Sequence, residues 1–219
     1  MMLLIALLLL SYLAGSVPTS IIAGRLLRGI DIREHGSGNA GGTNAFRVLG
    51  WPAGLVVIAL DVFKGWLAAA VISGWTLAGA LGPASFADSN LMAILCGSAA
   101  VAGHSFTIFA GFRGGKGVGT LGGMLLYLFP LAVLIGLGVW VLVLTTTGFV
   151  SLGSVTAVTL FPLITYLRDG TLSSTLGIFS LVMVLFIWTT HRSNIARLLA
   201  ETENRFEKAM IFRRRKHRG

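Results

Sequence analysis

Long apolar stretches separated by short polar intervals make up the pattern of hydrophobic and polar positions along this chain. A helix that crosses the hydrocarbon core of a bilayer needs about 20 mostly apolar residues. The pattern therefore predicts an all-α integral membrane protein, a bundle of about seven transmembrane helices that forms a single membrane domain over residues 1–219. The predicted spans lie at about 1–24, 51–73, 91–110, 117–129, 131–147, 150–167 and 172–190.

The number of spans depends on residues 117–147, which contain no charged side chain. As one helix this segment would be about 46 Å long, against a hydrocarbon core of about 30 Å. Proline ends helices, so we predict a break near Phe129-Pro130 that divides the segment into a short fourth span and a fifth. An odd number of spans then places the N-terminus outside and keeps the basic C-terminus in the cytoplasm, as the positive-inside rule requires.

The composition agrees with a membrane protein, since 55% of residues are hydrophobic and 11% are charged, whereas about a quarter are charged in soluble domains. The net charge of +9 could indicate nucleic-acid binding, but four consecutive cations at 213–216 fit a cytoplasmic tail that faces anionic lipid. Cys96 lies in an apolar run and is expected to be a buried thiol without a chemical role. A cleaved signal peptide is the alternative for the first apolar run, but no cation precedes it and no Ala-x-Ala site follows it.

Three polar intervals carry the candidate chemistry, in the predicted cytoplasmic segments 25–50, 111–117 and 191–219. The first interval is rich in glycine and ends at Arg47. Glycines leave backbone N–H groups free to approach an anion, and the Ser37 hydroxyl can donate a hydrogen bond to a phosphate. The interval therefore predicts a phosphate cradle, whose candidate binding residues are Gly36, Gly38, Asn39, Thr43 and Asn44.

The second interval, Gly114-Gly115-Lys116-Gly117, stands before a predicted helix start, where N–H groups and the helix dipole favour an anion. Lys116 adds a full positive charge. A Walker A loop is excluded, because that loop needs Ser or Thr after the lysine and Gly117 stands there. The alternative for this interval alone is a flexible turn with a snorkelling lysine. The candidate anion-binding residues here are His104, Arg113, Gly114, Gly115 and Gly117.

The third interval brings His191 and Asn194 to the cytoplasmic end of the last span. Arg197 and Glu203, further along, are predicted to brace the terminal segment through an ion pair. Two more charged residues, Asp61-x-x-Lys64, lie inside the second span on one helical face. Charges at membrane depth pair or face a cavity, so we interpret them as an ion pair that braces the bundle, with a role in positioning the site as the alternative.

These intervals resemble the three cytoplasmic motifs of the bacterial acyl-phosphate:glycerol-3-phosphate acyltransferases, the PlsY type. The resemblance is carried by Gly36 to Arg47, Gly103 to Val118 and His191 to Glu203, and it extends to Gly15-Ser16 with Pro18 and to Asp61 with Lys64-Gly65. The chain departs from the family where Gly42, Thr107, Gly119, Thr190 and Glu201 stand in place of the usual Ala, Pro, Ala, Arg and Gly. These departures bear on local backbone geometry more than on the polar groups.

The resemblance implies transfer of a fatty acyl group from acyl phosphate to the 1-hydroxyl of sn-glycerol 3-phosphate. The products are lysophosphatidic acid and phosphate, in the first acylation of phospholipid biosynthesis at the cytoplasmic side of the bacterial inner membrane. The substrates and membrane lipid are the expected partners of a monomer that needs no cofactor, metal or nucleic acid. The predicted catalytic residues are Ser37, Arg47, Lys116, His191 and Asn194.

Direct transfer without a covalent acyl-enzyme is expected. Neither His104 nor His191 begins the His-x-x-x-x-Asp pattern of acyl-CoA-dependent acyltransferases, and Ser151 and Ser154 have no adjacent histidine. Two candidates remain for the group that accepts the proton of the glycerol hydroxyl: an oxygen of the acyl phosphate, and a histidine, either His191 or His104. A transporter for an organic phosphate is the alternative function, disfavoured because neither motif occurs twice, and a purely structural subunit would leave the clustered polar motifs without a cause.

Overall fold

The computed structural model describes residues 2–76 and 89–211, and every regular element within these ranges is helical. The predicted all-α class is confirmed. The chain forms two compact units, Met1–Leu131 and Ala132–Gly219. The single membrane domain remains a prediction, and the basic tail at 213–216 lies outside the described residues.

The first unit contains six α-helices in the residues described. They are α1 (Met2–Ser16), α2 (Thr19–Arg28), α3 (Gly42–Leu49), α4 (Trp51–Trp66), α5 (Ser89–Ser105) and α6 (Val118–Leu128). Pro18 separates α1 from α2, because it has no N–H group and restricts the residue before it. A π-helical segment, Leu67–Ile72, continues α4, and short 3-10 turns lie at Ile32–Glu34 and Ile108–Ala110.

Glycine allows α4 and α6 to pack closely. A Cβ atom on Gly123 would overlap the carbonyl oxygen of Val62, and one on Gly65 would overlap the carbonyl oxygen of Thr120. The small-xxx-small spacing of Gly119 and Gly123 therefore lies at this helix contact, as such spacings do in membrane bundles. This contact fixes α6 against α4, the helix that bears Asp61, and so also fixes the end of the second glycine-rich loop, which leads into α6.

The second unit contains the last five helices of the described residues. They are α7 (Pro130–Thr147), α8 (Val150–Thr159), α9 (Phe161–Asp169), α10 (Thr175–Thr190) and α11 (Arg192–Leu199), and α7 begins at the boundary of the unit. After α11 the chain returns to the junction of α7 and α8. There the N–H of Phe206 donates to the carbonyl of Gly148 at 2.7 Å, and that of Ile211 to the carbonyl of Thr145 at 3.0 Å.

Five helices of the described residues are long and apolar enough to cross a membrane. They are Met2–Arg28, Trp51–Trp75, Asn90–Ala110, Pro130–Thr147 and Val150–Asp169, and the bent pair α10–α11 would be a sixth. The chain is thus an integral membrane protein. Helix α6 has 11 residues, so it is about 16 Å long, roughly half the hydrocarbon core. The expected fourth span is shorter than 117–129, because Gly117 has φ 84° and the helix begins only at Val118. The count of seven remains a prediction.

Helix α11 ends on a residue other than glycine in the left-handed conformation. Glu201 has φ 58°, and its N–H donates to the carbonyl of Leu198 at 3.2 Å while that of Thr202 donates to the carbonyl of Arg197 at 2.8 Å. This pair of bonds is the Schellman motif, which favours glycine at the left-handed position. The glycine that the resembling family has at this position therefore has a conformational reason.

Candidate active site

The first glycine-rich loop is held in shape by Asn44, in the first turn of α3 and fully buried. Its side-chain Oδ1 accepts a hydrogen bond from the N–H of Ser37 at 2.8 Å. Its Nδ2 donates to the carbonyls of Ile32 at 2.9 Å and His35 at 3.0 Å. Both amide hydrogens are therefore committed to the backbone. Asn44 organises the loop, and a direct contact with phosphate remains a prediction.

The glycines of this loop serve its tight turn. Gly36 and Gly38 have φ of 62° and 71°, and a Cβ on Gly36 would overlap Oδ1 of Asn44. The N–H of Gly38 donates to the carbonyl of His35 at 3.1 Å, and the N–H of Ser37 is bound by Asn44. The expectation that these backbone N–H groups are free for an anion is therefore corrected, because the loop uses them internally.

The second glycine-rich loop packs on the C-terminal end of α5. The N–H of Gly114 donates to the carbonyl of Ser105 at 3.1 Å, and that of Gly115 to the carbonyl of His104 at 3.0 Å. A Cβ on Gly114 would overlap the His104 carbonyl, and one on Gly115 would overlap Nε2 of the His104 ring. These two N–H groups are also committed within the protein. The glycines are needed here for close approach, which corrects their assignment as free anion donors.

The two loops lie against each other. A Cβ on Gly115 would be 2.8 Å from the carbonyl oxygen of Ala40 in the first loop. Arg33 joins the loops from the other side: its Nη1 donates to the carbonyl of Ala110 at 2.8 Å and lies 3.4 Å from that of Arg113. The structure thus brings the first and second polar intervals together.

Sequence reasoning gave Arg33 no role in the site. Its guanidinium is held by Asp31 through an ion pair of 2.7 Å. The side-chain hydrogen bond from Arg33 lowers the pKa of Asp31 to about 2. The Asp-x-Arg spacing was a signal for this ion pair. The loop that the guanidinium reaches, however, is 77 residues away in sequence.

The remaining predicted residues of the first unit lie in these loops or at the ends of α3 and α6. Most of them are half-buried, so part of each side chain is exposed and can contact a ligand. They are Ser37, Asn39, Thr43, Arg47 and Lys116, all half-buried, Arg113, which is exposed, and Gly117, the N-terminal cap of α6. Their contacts with substrate remain predictions.

Asp61 and Lys64 form the predicted ion pair, with 2.8 Å between Oδ1 and Nζ. The pair is buried, and it extends to two other elements. Oδ1 of Asp61 accepts from the hydroxyl of Thr19 at 2.6 Å, and Nζ of Lys64 donates to the carbonyl of Val17 at 2.9 Å. Nδ1 of His104 lies 3.4 Å from the same Nζ. The pair therefore joins the α1–α2 break to α4 and to the end of α5.

In the second unit, His191 lies at the 64° bend between α10 and α11. The residue is buried, with 2% of its surface exposed. Its Nδ1 is 2.9 Å from the carbonyl oxygen of Ile187. A carbonyl oxygen only accepts, so Nδ1 carries a hydrogen, and in the neutral ring Nε2 is the proton-accepting nitrogen.

Glu203 accepts hydrogen bonds from three side chains of the second unit. Its Oε1 accepts from Nδ2 of Asn194 at 2.6 Å and from the hydroxyl of Ser151 at 2.8 Å, and its Oε2 accepts from Nε of Arg197 at 2.7 Å. Burial raises the pKa of Glu203, but the hydrogen bonds from Asn194, Ser151 and Arg197 outweigh it and the pKa lies below its ordinary 4.5. The predicted Arg197–Glu203 ion pair is present. Sequence reasoning weighed Ser151 only as a nucleophile and missed this bond.

Comparison with known proteins identifies the family. A family model for glycerol-3-phosphate acyltransferase matches residues 5–201. Glycerol-3-phosphate acyltransferases from Chlorobaculum tepidum and Chlorobaculum parvum are each 48% identical to the chain, over 92% of this chain and 95% of the relative. Crystal structures of PlsY (YgiH), an integral membrane glycerol 3-phosphate acyltransferase, are also similar. Its lysophosphatidic acid form has a TM-score of 0.78 and 31% identity over 92% of this chain and 94% of that chain. Its glycerol 3-phosphate form has a TM-score of 0.76 and 30% identity over 93% and 95%. The chain therefore belongs to the glycerol-3-phosphate acyltransferase family of the PlsY type.

Proposed function

We propose that the protein transfers a fatty acyl group from acyl phosphate to the 1-hydroxyl of sn-glycerol 3-phosphate. The products are lysophosphatidic acid and phosphate, in the first acylation of phospholipid biosynthesis. The observation that carries this proposal is the juxtaposition of the two glycine-rich loops, tied by Arg33 and by the approach of Gly115 to Ala40. Both reactants are phosphates, and these loops bear the cation Lys116 and the hydroxyl of Ser37.

The reaction needs stabilised negative charge. The glycerol hydroxyl oxygen attacks the carbonyl carbon, the bond from that carbon to the bridging oxygen breaks, and phosphate leaves with its electron pair. We assign Lys116 and Arg47 to the developing charge on the carbonyl oxygen and on the leaving phosphate, and Ser37 as a hydrogen-bond donor, because preorganised donors are the largest contribution in most acyl transfers. The binding groups would also align the two reactants.

The hydroxyl proton has two candidate acceptors. One is an oxygen of the acyl phosphate, and the other is Nε2 of His191, which the hydrogen bond of Nδ1 to Ile187 leaves as the accepting nitrogen. We assign Asn194, held by Glu203, to catalysis together with its neighbour His191. Direct transfer without an acyl-enzyme is supported by Ser151, whose hydroxyl donates to Glu203 rather than to a histidine. The lowered pKa of Glu203 makes its carboxylate a weak base.

A donor assay tests the proposed function. Detergent-purified protein given palmitoyl phosphate and glycerol 3-phosphate should form lysophosphatidate and release phosphate in equal amounts. Lys116→Met should reduce the rate about 100-fold or more, as loss of a charge-stabilising group does. Palmitoyl-CoA at the same concentration is the matched donor control and should give no product. Acylation from palmitoyl-CoA alone would refute the acyl-phosphate donor.

We propose that the protein lies in the bacterial inner membrane with its N-terminus outside and the two glycine-rich loops in the cytoplasm. The exposed arginines Arg25 and Arg28 at the end of α2 support this, by the positive-inside rule. In a Cys96→Ala background, Glu34→Cys should react with an impermeant maleimide only in inside-out vesicles. The exposed Asn90→Cys, at the start of α5, should react only in right-side-out vesicles. The opposite pattern would reverse the topology.

A further inference from the structure

The Asp61–Lys64 ion pair in α4 has more hydrogen-bond partners than an ion pair that only braces two helices needs. Asp61 and Lys64 are 4% and 6% exposed, in a helix of membrane-spanning length. Ionised groups within membrane-spanning helices are costly and mark functional sites. The ammonium of Lys64 has three hydrogens and three neighbouring acceptors: Oδ1 of Asp61 at 2.8 Å, the carbonyl of Val17 at 2.9 Å and Nδ1 of His104 at 3.4 Å. Each hydrogen of the ammonium is thus accounted for.

This arrangement selects one tautomer of the His104 ring. An ammonium group only donates, so Nδ1 facing it must be the acceptor, and the ring hydrogen is then on Nε2. Oδ1 of Asp61 also lies 3.5 Å from Nδ1. That oxygen, however, already accepts from Lys64 at 2.8 Å and from Thr19 at 2.6 Å. A hydrogen on Nδ1 would point at a cation, which is the unfavourable alternative.

The Nε2 atom of His104 is turned toward the two glycine-rich loops. Gly115 lies so close to it that a Cβ there would overlap Nε2, and that same Cβ would be 2.8 Å from the carbonyl of Ala40. Among residues 2–76 and 89–211, Nε2 has no hydrogen-bond partner. It is also not fully buried, since the fully buried polar atoms that lack a partner there do not include it. A donor therefore lies where the two loops meet, available to a ligand.

We propose that the Asp61–Lys64 pair is a positioning device for substrate binding. Lys64 fixes His104 in the tautomer whose Nε2–H donates to a phosphate oxygen of a substrate held by the glycine-rich loops. The inference rests on the proposed function and deepens it. His104 contacts the substrate, whereas Lys64 and Asp61 are positioning residues that act through it. The phosphate oxygen belongs either to glycerol 3-phosphate or to acyl phosphate.

Two substitutions of His104 separate this role from a structural one. In His104→Asn the side-chain oxygen takes the place of Nδ1, which keeps the acceptor for Lys64 and removes the donor at Nε2. In His104→Gln the amide nitrogen takes the place of Nε2, which keeps the donor and removes the acceptor for Lys64. If the ring only connected helices through Lys64, His104→Asn would be the milder change. If its Nε2–H donates to the substrate, His104→Gln is the milder change instead.

We expect His104→Asn to lower kcat/KM about 10- to 100-fold, the effect of one lost hydrogen bond to a charged group. The loss should lie mainly in KM, and the unfolding temperature should stay near that of the wild type. His104→Gln should retain most of kcat/KM. In the His104→Asn background, Lys64→Met should lower kcat/KM no further, whereas in the wild-type background it should lower it. Equal or greater loss in His104→Gln than in His104→Asn overturns the proposal, and this holds even where Lys64→Met fails to fold.

Two further measurements assign the phosphate and separate the two proposals. Calorimetric titration with glycerol 3-phosphate alone should show weaker binding to His104→Asn if the acceptor phosphate is the partner. An unchanged titration with a raised KM for palmitoyl phosphate assigns the donor phosphate instead. A wild type that binds glycerol 3-phosphate but takes no acyl group from palmitoyl phosphate refutes the proposed donor only. In that case, equal affinity of wild type and His104→Asn for glycerol 3-phosphate overturns the positioning role as well.

Discussion

Gly115→Ala should lower acyl transfer about 100-fold while the protein stays folded. A Cβ at this position would overlap Nε2 of His104 and stand 2.8 Å from the carbonyl oxygen of Ala40. Neither neighbour can move away easily, because the His104 ring is held by Lys64 and the Ala40 oxygen belongs to the backbone. The two glycine-rich loops must then separate, and displacing a binding group by about 1 Å costs on the order of 100-fold in rate. Initial rates with palmitoyl phosphate and glycerol 3-phosphate measure the effect.

Gly122→Ala is the matched control for this prediction. It makes the same chemical change in α6, at a position where a Cβ would meet no atom within 4 Å. Its rate should equal that of the wild type, and its unfolding temperature should be equal or slightly higher, because alanine favours helix over glycine. A Gly115→Ala protein with more than half of the wild-type rate would show that the loops need not approach this closely.

Asn44→Asp should destabilise the protein and abolish most activity together. The substitution changes no heavy-atom positions but removes both donors from Nδ2, so the carbonyls of Ile32 and His35 lose their partner and face a buried carboxylate. Each unsatisfied buried group costs about 1–3 kcal/mol, so for the two carbonyls we expect a loss of about 2–6 kcal/mol in the free energy of unfolding. Denaturant unfolding in detergent and the acylation rate are the two measurements.

Asn44→Ala distinguishes loop support from phosphate binding. If Asn44 supports the loop, alanine lowers stability and activity in parallel with Asn44→Asp. If Asn44 instead contacts the phosphate, alanine raises the KM for a substrate and leaves the unfolding transition in place. An Asn44→Asp protein as stable as the wild type would contradict the role that its three hydrogen bonds indicate.

The helices of this protein were predictable because their cause is local. A backbone in lipid must satisfy its own N–H and C=O groups, so an apolar run of sufficient length forms a helix whatever its neighbours. The break before α7, which begins at Pro130, was predicted from that proline. The break between α1 and α2 at Pro18 was not, because the predicted first span ran through it to residue 24. The pair Asp61 and Lys64 was predictable as well, since a spacing of three residues puts both side chains on one helical face.

The roles of individual glycines were predicted less well. Glycine suits an open anion cradle and a close backbone contact equally, and the sequence does not distinguish these uses. The contacts in the structure distinguish the two uses. The N–H groups of Gly114 and Gly115 donate to carbonyls at the C-terminal end of α5, and Gly36 leaves space for the side chain of Asn44. The proposed function therefore places the charge that would serve the substrates on the side chains Lys116 and Arg47 rather than on these N–H groups.

By itself, the sequence determined the helical membrane class, the helix break at Pro130 and the segments that carry the polar chemistry, because each depends on residues close together in the chain. Tertiary structure alone decided which groups those segments engage. Thr19 meets Asp61 across 42 positions, Ser151 meets Glu203 across 52, and Arg33 meets Ala110 across 77. Such partners are chosen by helix packing, in which a glycine such as Gly123 brings two backbones into contact. The tautomer of His104 follows from that packing, since it is set by a lysine on another helix.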